Sequence, residues 1–399
     1  MLTTRKHTAL YAAHLQQHAC MVDFAGWQMP LHYGSQIAEH NQVRNAVGMF
    51  DVSHMGVIEI TGSASQQYLA RVLANNIYKL QQPGHALYSC MLNAAGGILD
   101  DLIVYFVAEN HYRLVVNAAT VTSDYAWLQQ QAQEHRQQQL GAVDLQLQLR
   151  TDLAMLAVQG PQARATLAKI FPTVGIEIME LKPFAFLVTD AYFIARTGYT
   201  GEDGVEIILP ATGVGAFWNT LLAAHVPPIG LAARDTLRLE AGLNLYGQDM
   251  DSNVTPLESN LAWTVAWQPE ERNFIGREAL QRQQAQAQAQ TQAQAQMQTQ
   301  IQLQDQALGQ AKQPKLRQLI GVVLEEKGVL RHGYQLFVNA EPDTSTAVGD
   351  ITSGSYSPTL KQAIGLARVN TPIKEHYYVE IRGKRMLAKV VKLPFLKKK

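Results

Sequence analysis

From Gln281 to Lys315 the chain reads QRQQAQAQAQTQAQAQMQTQIQLQDQALGQAKQPK. Gln alternating with Ala or another residue has period 2, so it lays no apolar stripe along a helix. It also holds too few β-branched or large apolar residues to build a core strand. Whatever packs a hydrophobic core must therefore lie on either side of it. We expect a solvated insertion over 281–315, disordered or a fluctuating helix, because Ala and Gln both favour helix intrinsically, and we read it as a spacer.

After the tract, LRQLIGVVLEEKGVLRHGYQLFVN, VGDITSGSYSPTLKQAIGLARV and YYVEIRGKRMLAKVVKLPF are short apolar runs punctuated by Gly, Asn and Ser-Pro. That spacing predicts a small all-β unit over 316–399. Before the tract, over 1–280, the pattern is mixed. HALYSCMLNAAGGILDDLIVYFV and HYRLVVNA predict three strands with turns at Asn93–Gly97 and Glu109–Asn110. TSDYAWLQQQAQEH then predicts a helix capped by Thr122 or Ser123. DLAMLAVQG, PQARATLAKIF and AYFIARTGYTGEDGVEIILP continue the alternation, so the fold class is α+β. Neither GxGxxG nor GxxxxGK[ST] occurs, and no dinucleotide fold or phosphate-cradling loop is signalled.

With 399 residues, 47% of them hydrophobic, two or three globular domains are expected. The 33 Lys and Arg balance the 33 Asp and Glu. No overall field draws the molecule to nucleic acid or membrane, and an anionic ligand must be met by local charges. Cys20 and Cys90 have no metal-ligand spacing, which argues against a disulfide framework, zinc or iron–sulfur and fits a reducing compartment. No stretch approaches the ~20 apolar residues of a membrane span, and the first residues lack the apolar core of a signal peptide. The cytoplasm is the expected location; a short transit peptide is the weaker alternative.

Within GGILDDLIVYFV, residues 96–107, two carboxylates interrupt an apolar strand. Successive side chains of a strand point to opposite faces, so Asp100 and Asp101 cannot share one. If one reaches water the other points inward, where an unpaired charge is costly without donors, a cation or a ligand. Periodicity does not say which, and a strand end with both carboxylates in water is the ordinary alternative. Glu206, opening the strand VEIILP after the glycines of RTGYTGEDG, is placed as oddly. A salt bridge would account for it equally well.

These residues lie in an ordered series of motifs: FAGWQMPLHYGSQ, GMFDVSHMG, GGILDDLIVY, TGYTGEDGVEI, GLAARDTLRLEAGLNLYGQDMD and ITSGSYSPTL. In them the chain resembles the aminomethyltransferases of the glycine cleavage system, the T proteins, over nearly its whole length apart from the Gln-rich tract. The resemblance implies a multi-domain cloverleaf around a central folate site, with 1–280 as two interleaved α+β lobes and a C-terminal β-barrel. It implies transfer of the methylene of an aminomethyl group, carried on the dihydrolipoyl arm of the partner H protein, to tetrahydrofolate with release of ammonia.

By the same resemblance Asp101 is the catalytic carboxylate and Asp100 the outward member of the pair. Glu206 matches the glutamate that pairs with the pterin, where a carboxylate accepts two parallel hydrogen bonds from an amino-pyrimidinone edge. Tyr199 and Tyr88 match aromatic walls of the folate site, and Met55 a pocket-lining position. Arg234 matches the arginine that contacts the folate tail, whose carboxylates suit a guanidinium; Arg238, one helical turn on, is the competing reader. His54 has the ordinary pKa of a general base, but the resemblance does not make it the catalytic group. The chain departs from the family in its Gln-rich tract and in ending LPFLKKK, without the aromatic some relatives use near the terminus. Lys397, Lys398 and Lys399 are read as a frayed basic end.

Two other readings compete. A folate-dependent demethylase on the same scaffold shares the Asp strand and the Tyr and Glu motif, but VDFAGWQMPLHYGS and LNLYGQDMD favour the aminomethyl branch. A non-catalytic folate-binding accessory protein would carry a KGCY-type cysteine motif, and this sequence has none.

Overall fold

The computed structural model describes residues 5–138, 142–301, 316–341 and 346–396. Lys397, Lys398 and Lys399, and residues 302–315 of the Gln-rich tract, lie outside the described residues.

Two five-stranded sheets form the body, and the chain passes between them. The first has the order His85–Leu92, Ile98–Ala108, His111–Val116, Gly56–Thr61, Gln146–Leu149, the second Phe186–Val188, Phe193–Ala195, Gly204–Pro210, Leu153–Gln159, Gly48–Asp51. Gly48–Asp51 joins the second sheet, whereas Gly56–Thr61, a few residues later, joins the first. The apolar face between them packs Val57, Tyr105 and Val115 with Met155, Phe193 and Ile208. Helices cover the outer faces. In Val214–Ala223 the buried positions Val214, Phe217, Trp218 and Leu221 repeat at helical spacing, which is why this segment packs as an amphipathic helix.

The three strands read around the aspartates are present, with pairing Cys90↔Asp101 and Met91↔Asp100. The following helix runs from Val121 to Gln138. Its start lies before the expected cap: the Asp124 N–H bonds to the Thr120 carbonyl, so Thr122 and Ser123 sit inside the first turn. In RTGYTGEDG the glycines are needed for more than flexibility. Gly201 has φ +79°, and a Cβ on Gly204 would lie 2.3 Å from the Val158 carbonyl oxygen.

A closed six-stranded barrel follows, ordered Gln318–Leu324, Gln362–Val369, Gly349–Ser357, Gln335–Phe337, His376–Ile381, Lys384–Val391. Its core is Val322, Leu330, Leu336, Ile351, Tyr377 and their neighbours. The barrel meets the body at helix Leu231–Glu240 through a buried polar network. Asp249 accepts from Thr352 Oγ1 at 2.6 Å and Ser353 Oγ at 2.8 Å, and Glu240 accepts from Ser357 and Thr359.

Helix Arg277–Ile301 carries the first part of the Gln-rich tract. The tract opens with Gln281 and Arg282 exposed, just after the buried Leu280, and is tied to the body at Gln283, whose side chain bonds to Thr255 and Glu258 at 2.8 and 3.2 Å.

Candidate active site

Asp101 projects from the middle of its sheet, half-buried, with a donor on each oxygen. The Tyr88 hydroxyl donates to Oδ2 at 2.7 Å and the Asn117 side-chain amide to Oδ1 at 2.8 Å. The surrounding protein and the neighbouring Asp100 push its pKa up to about 7, against the pull of those two donors. It is therefore poised to hold or release a proton near neutrality. Tyr88 lies two residues from the Asp101 pairing partner on the adjacent strand, and its ring stacks on Trp263, centroids 5.6 Å apart. Trp263 is 64% exposed, so the pair forms an aromatic wall reaching solvent.

Asp100 is not the outward, solvated carboxylate expected from the resemblance. It is 0% exposed. The face of the strand opposite Asp101 is covered by the start of helix Val121–Gln138, and Asp100 accepts there from the Asn117 backbone N–H at 3.0 Å and its side-chain amide at 2.8 Å. Strand alternation separates the two carboxylates correctly but does not show that both faces are covered.

Glu206 lies in strand Gly204–Pro210, paired with Ala157 and Ala195, and is buried. Thr197 Oγ1 donates to its Oε2 at 2.6 Å, and no described residue donates to Oε1. Burial raises its pKa, opposed by Thr197 and Arg234. One oxygen is thus left with acceptor capacity, as a ligand-reading carboxylate requires.

Arg234 and Arg238 differ sharply. Arg238, 1% exposed, commits its guanidinium to Asp235, Asp249, the Leu243 carbonyl and Ser353, all within 3.1 Å. Arg234 lies over the Tyr199 ring, 4.7 Å from its centroid, with Nη1 buried and without a hydrogen-bond partner among the described residues. Burial lowers its pKa while Glu206 and Tyr199 hold it charged. Of the two, Arg234 is the cation with a free donor. Tyr199 donates its hydroxyl to the Asn244 carbonyl, which fixes the ring, and it lies within electrostatic reach of Asp101, Arg234 and Arg238.

The fold thus brings Tyr88, Asp101, Tyr199, Arg234 and Glu206 into one electrostatic neighbourhood from both sheets and helix Leu231–Glu240. Met55 packs, half-buried, against the apolar cluster between the sheets. His54 is buried with Nδ1 unpartnered among the described residues, and burial pushes its pKa down to about 4, with Arg234 adding to the shift. It is a neutral, weakly basic imidazole at pH 7. Asn117, Trp263 and Thr197 escaped the sequence reading; Asn117 closes the quoted strand HYRLVVNA, and its place opposite the aspartates follows only from the antiparallel register.

Residues 10–269 match the GCVT N-terminal domain family, and residues 317–397 match the glycine cleavage T-protein C-terminal barrel domain. The chain is 49% identical to the aminomethyltransferases of Nitrosomonas eutropha, over 394 residues, and Pseudomonas syringae pv. tomato, over 393, covering 98% of this chain and of each relative. The crystal structure of the glycine cleavage system aminomethyltransferase T from Bartonella henselae superposes with a TM-score of 0.83 at 32% identity, covering 98% of both chains. The chain therefore belongs to the glycine cleavage T-protein family of aminomethyltransferases.

Proposed function

We propose that this aminomethyltransferase takes the methylene from an S-aminomethyl dihydrolipoyl arm on an H protein and delivers it to tetrahydrofolate, the one-carbon acceptor of its family. The observation that carries the reading is Asp101: a carboxylate held on both oxygens, with its pKa near 7, which Tyr199 links to Arg234, with an unpartnered Nη1 among the described residues, and through it to Glu206, with an open oxygen.

In the proposed sequence the C–N bond of S–CH2–NH3+ breaks and ammonia leaves with the electron pair. The sulfur-stabilised carbocation is taken by a lone pair of the folate nitrogen. The C–S bond then breaks toward sulfur, and the second folate nitrogen closes 5,10-methylenetetrahydrofolate. The folate N5 and N10 protons go to the thiolate and, through Asp101, to the departing ammonia, so atoms and charge balance. Ionised Asp101 orients the nucleophilic nitrogen, stabilises positive charge as the bond forms and accepts a proton. Glu206 is assigned the amino-pyrimidinone edge, Arg234 the glutamyl carboxylate, and Tyr88, Tyr199 and Met55 the walls. The first-sheet and second-sheet lobes of 1–280 would form the folate site, with the 316–399 barrel buttressing helix Leu231–Glu240.

No described helix is long and apolar enough to cross a membrane, which is compatible with the cytoplasmic setting we propose. The purified protein with aminomethylated H protein should release ammonia and form methylenetetrahydrofolate only when tetrahydrofolate is present. Folate binding without turnover on this substrate would refute the assignment.

A further inference from the structure

Asp100 has no part in the chemistry just described, yet it is the most deeply buried carboxylate of the site. Its two oxygens accept from the backbone N–H and the side-chain amide of Asn117, and that same amide donates to the Asp101 carbonyl at 3.1 Å and to Asp101 Oδ1 at 2.8 Å. One Asn amide thus bridges carboxylates on opposite faces of one strand. Behind Asp100 stands the Asp124 carboxyl, 2% exposed, in the first turn of helix Val121–Gln138; its Oδ2 is buried without a hydrogen-bond partner among the described residues, and the two carboxyls act on each other electrostatically. No Lys, Arg or His of the described residues forms an ion pair with Asp100, Asp101 or Asp124, and no group of described residues could hold a metal ion there.

Two buried carboxylates in contact without a cation cannot both be ionised; they share a proton. Burial and Asp124 drive the Asp100 pKa well up, while Asp124 rises to about 7 by burial, with its Asp100 contact opposing the rise. With one proton shared between the two carboxyls, both oxygens of Asp100 still accept from Asn117. The other groups interacting with these carboxylates are Tyr88 and Cys90 from the neighbouring strand, Thr120 at the helix start, Tyr199 before strand Gly204–Pro210, and Tyr246 from the loop after helix Leu231–Glu240. Without Asn117, Asp101 would keep the single Tyr88 bond and could turn about its terminal torsion.

We propose that Asp100 is a positioning residue for the one-carbon transfer: braced by Asp124, it fixes Asn117 with both carboxyl oxygens, and Asn117 in turn aims Asp101 into the site. The inference rests on the reading of Asp101 as the catalytic carboxylate. A displacement of about 1 Å at a reacting group lowers a rate by roughly 100-fold, and that sets the scale of the effect.

The test compares Asp124→Asn, which keeps a hydrogen-bonding group facing Asp100, with Asp124→Leu, which keeps volume but removes it. Asp124→Asn should retain kcat within roughly 3-fold; Asp124→Leu should lose roughly 10–100-fold in kcat with KM for tetrahydrofolate within roughly 3-fold. A crystal structure of Asp124→Leu should show the Asn117 amide withdrawn from Asp101. This readout does not depend on turnover, so a wild-type chain inactive on aminomethylated H protein would refute the functional reading and leave the crystal structure to decide the positioning. If Asp124→Leu does not fold, Asp100→Asn replaces it, since its amide sets a donor against the Asn117 backbone N–H and should impair kcat in the same way. The proposal is overturned if the impaired-brace variant turns over at the wild-type rate, if Asp124→Asn is equally impaired, or if both Asn117 bonds to Asp101 survive unchanged.

Discussion

Replacing Asp101 by Asn should stabilise the folded chain while removing its activity. In the folded state the Asp101 pKa is raised from 3.8 to about 7, chiefly by burial. A carboxyl whose folded pKa is raised binds its proton more tightly when folded, so its contribution to stability is fully present below about pH 4 and is lost as pH rises through about 7. Three pKa units correspond to about 4 kcal/mol at the alkaline plateau, accumulating at about 1.4 kcal/mol per pH unit between the two values. Asn keeps the shape and an acceptor for the Asn117 amide, and the Tyr88 hydroxyl can accept from the new amide, so little is lost in exchange. Urea unfolding of the two proteins from pH 5 to 8 should show Asp101→Asn gaining on the wild type by roughly 2–3 kcal/mol over that interval. A difference independent of pH, or a variant less stable than wild type at pH 8, would refute the electrostatic account of the site.

Glu206→Ala should weaken tetrahydrofolate binding by about 1–3 kcal/mol, the cost of leaving buried polar partners unpaired, read by calorimetric titration. Arg234→Met should weaken tetrahydrofolate binding with little loss of stability, because Nη1 has no hydrogen-bond partner among the described residues. Arg238→Met should instead destabilise by about 3–5 kcal/mol in urea unfolding, since it strands the buried Asp249 carboxylate. Deleting residues 286–312, beyond the Gln283 contacts, should leave turnover nearly intact in the ammonia-release assay; a large loss would refute the spacer reading.

The strands around Asp101 were legible because Asn93–Gly97 and Glu109–Asn110 punctuate apolar runs, and strand parity then separated Asp100 from Asp101. Parity carries no information about what covers each face. The burial of Asp100 depends on a helix about twenty residues downstream, and Asn117 meets both aspartates only through the register of two strands. Arg234 and Arg238 were inseparable for the opposite reason: four residues apart on a helix, they share a face, and the partners of Arg238, Ser353 from the barrel among them, separate them. The helix start was displaced because Thr120, Thr122 and Ser123 are all chemically competent near a helix N-terminus. Composition marked the Gln-rich tract as unable to enter a core, but could not reveal that Gln283 is tied down by Thr255 and Glu258.

The most direct test is single-turnover ammonia release from aminomethylated H protein by wild type and Asp101→Asn, with and without tetrahydrofolate at pH 8. Release by the wild type should depend on folate, and the variant should be roughly 1,000-fold slower with tetrahydrofolate still bound. Release by Asp101→Asn at a rate within a few-fold of wild type would contradict the role assigned to Asp101.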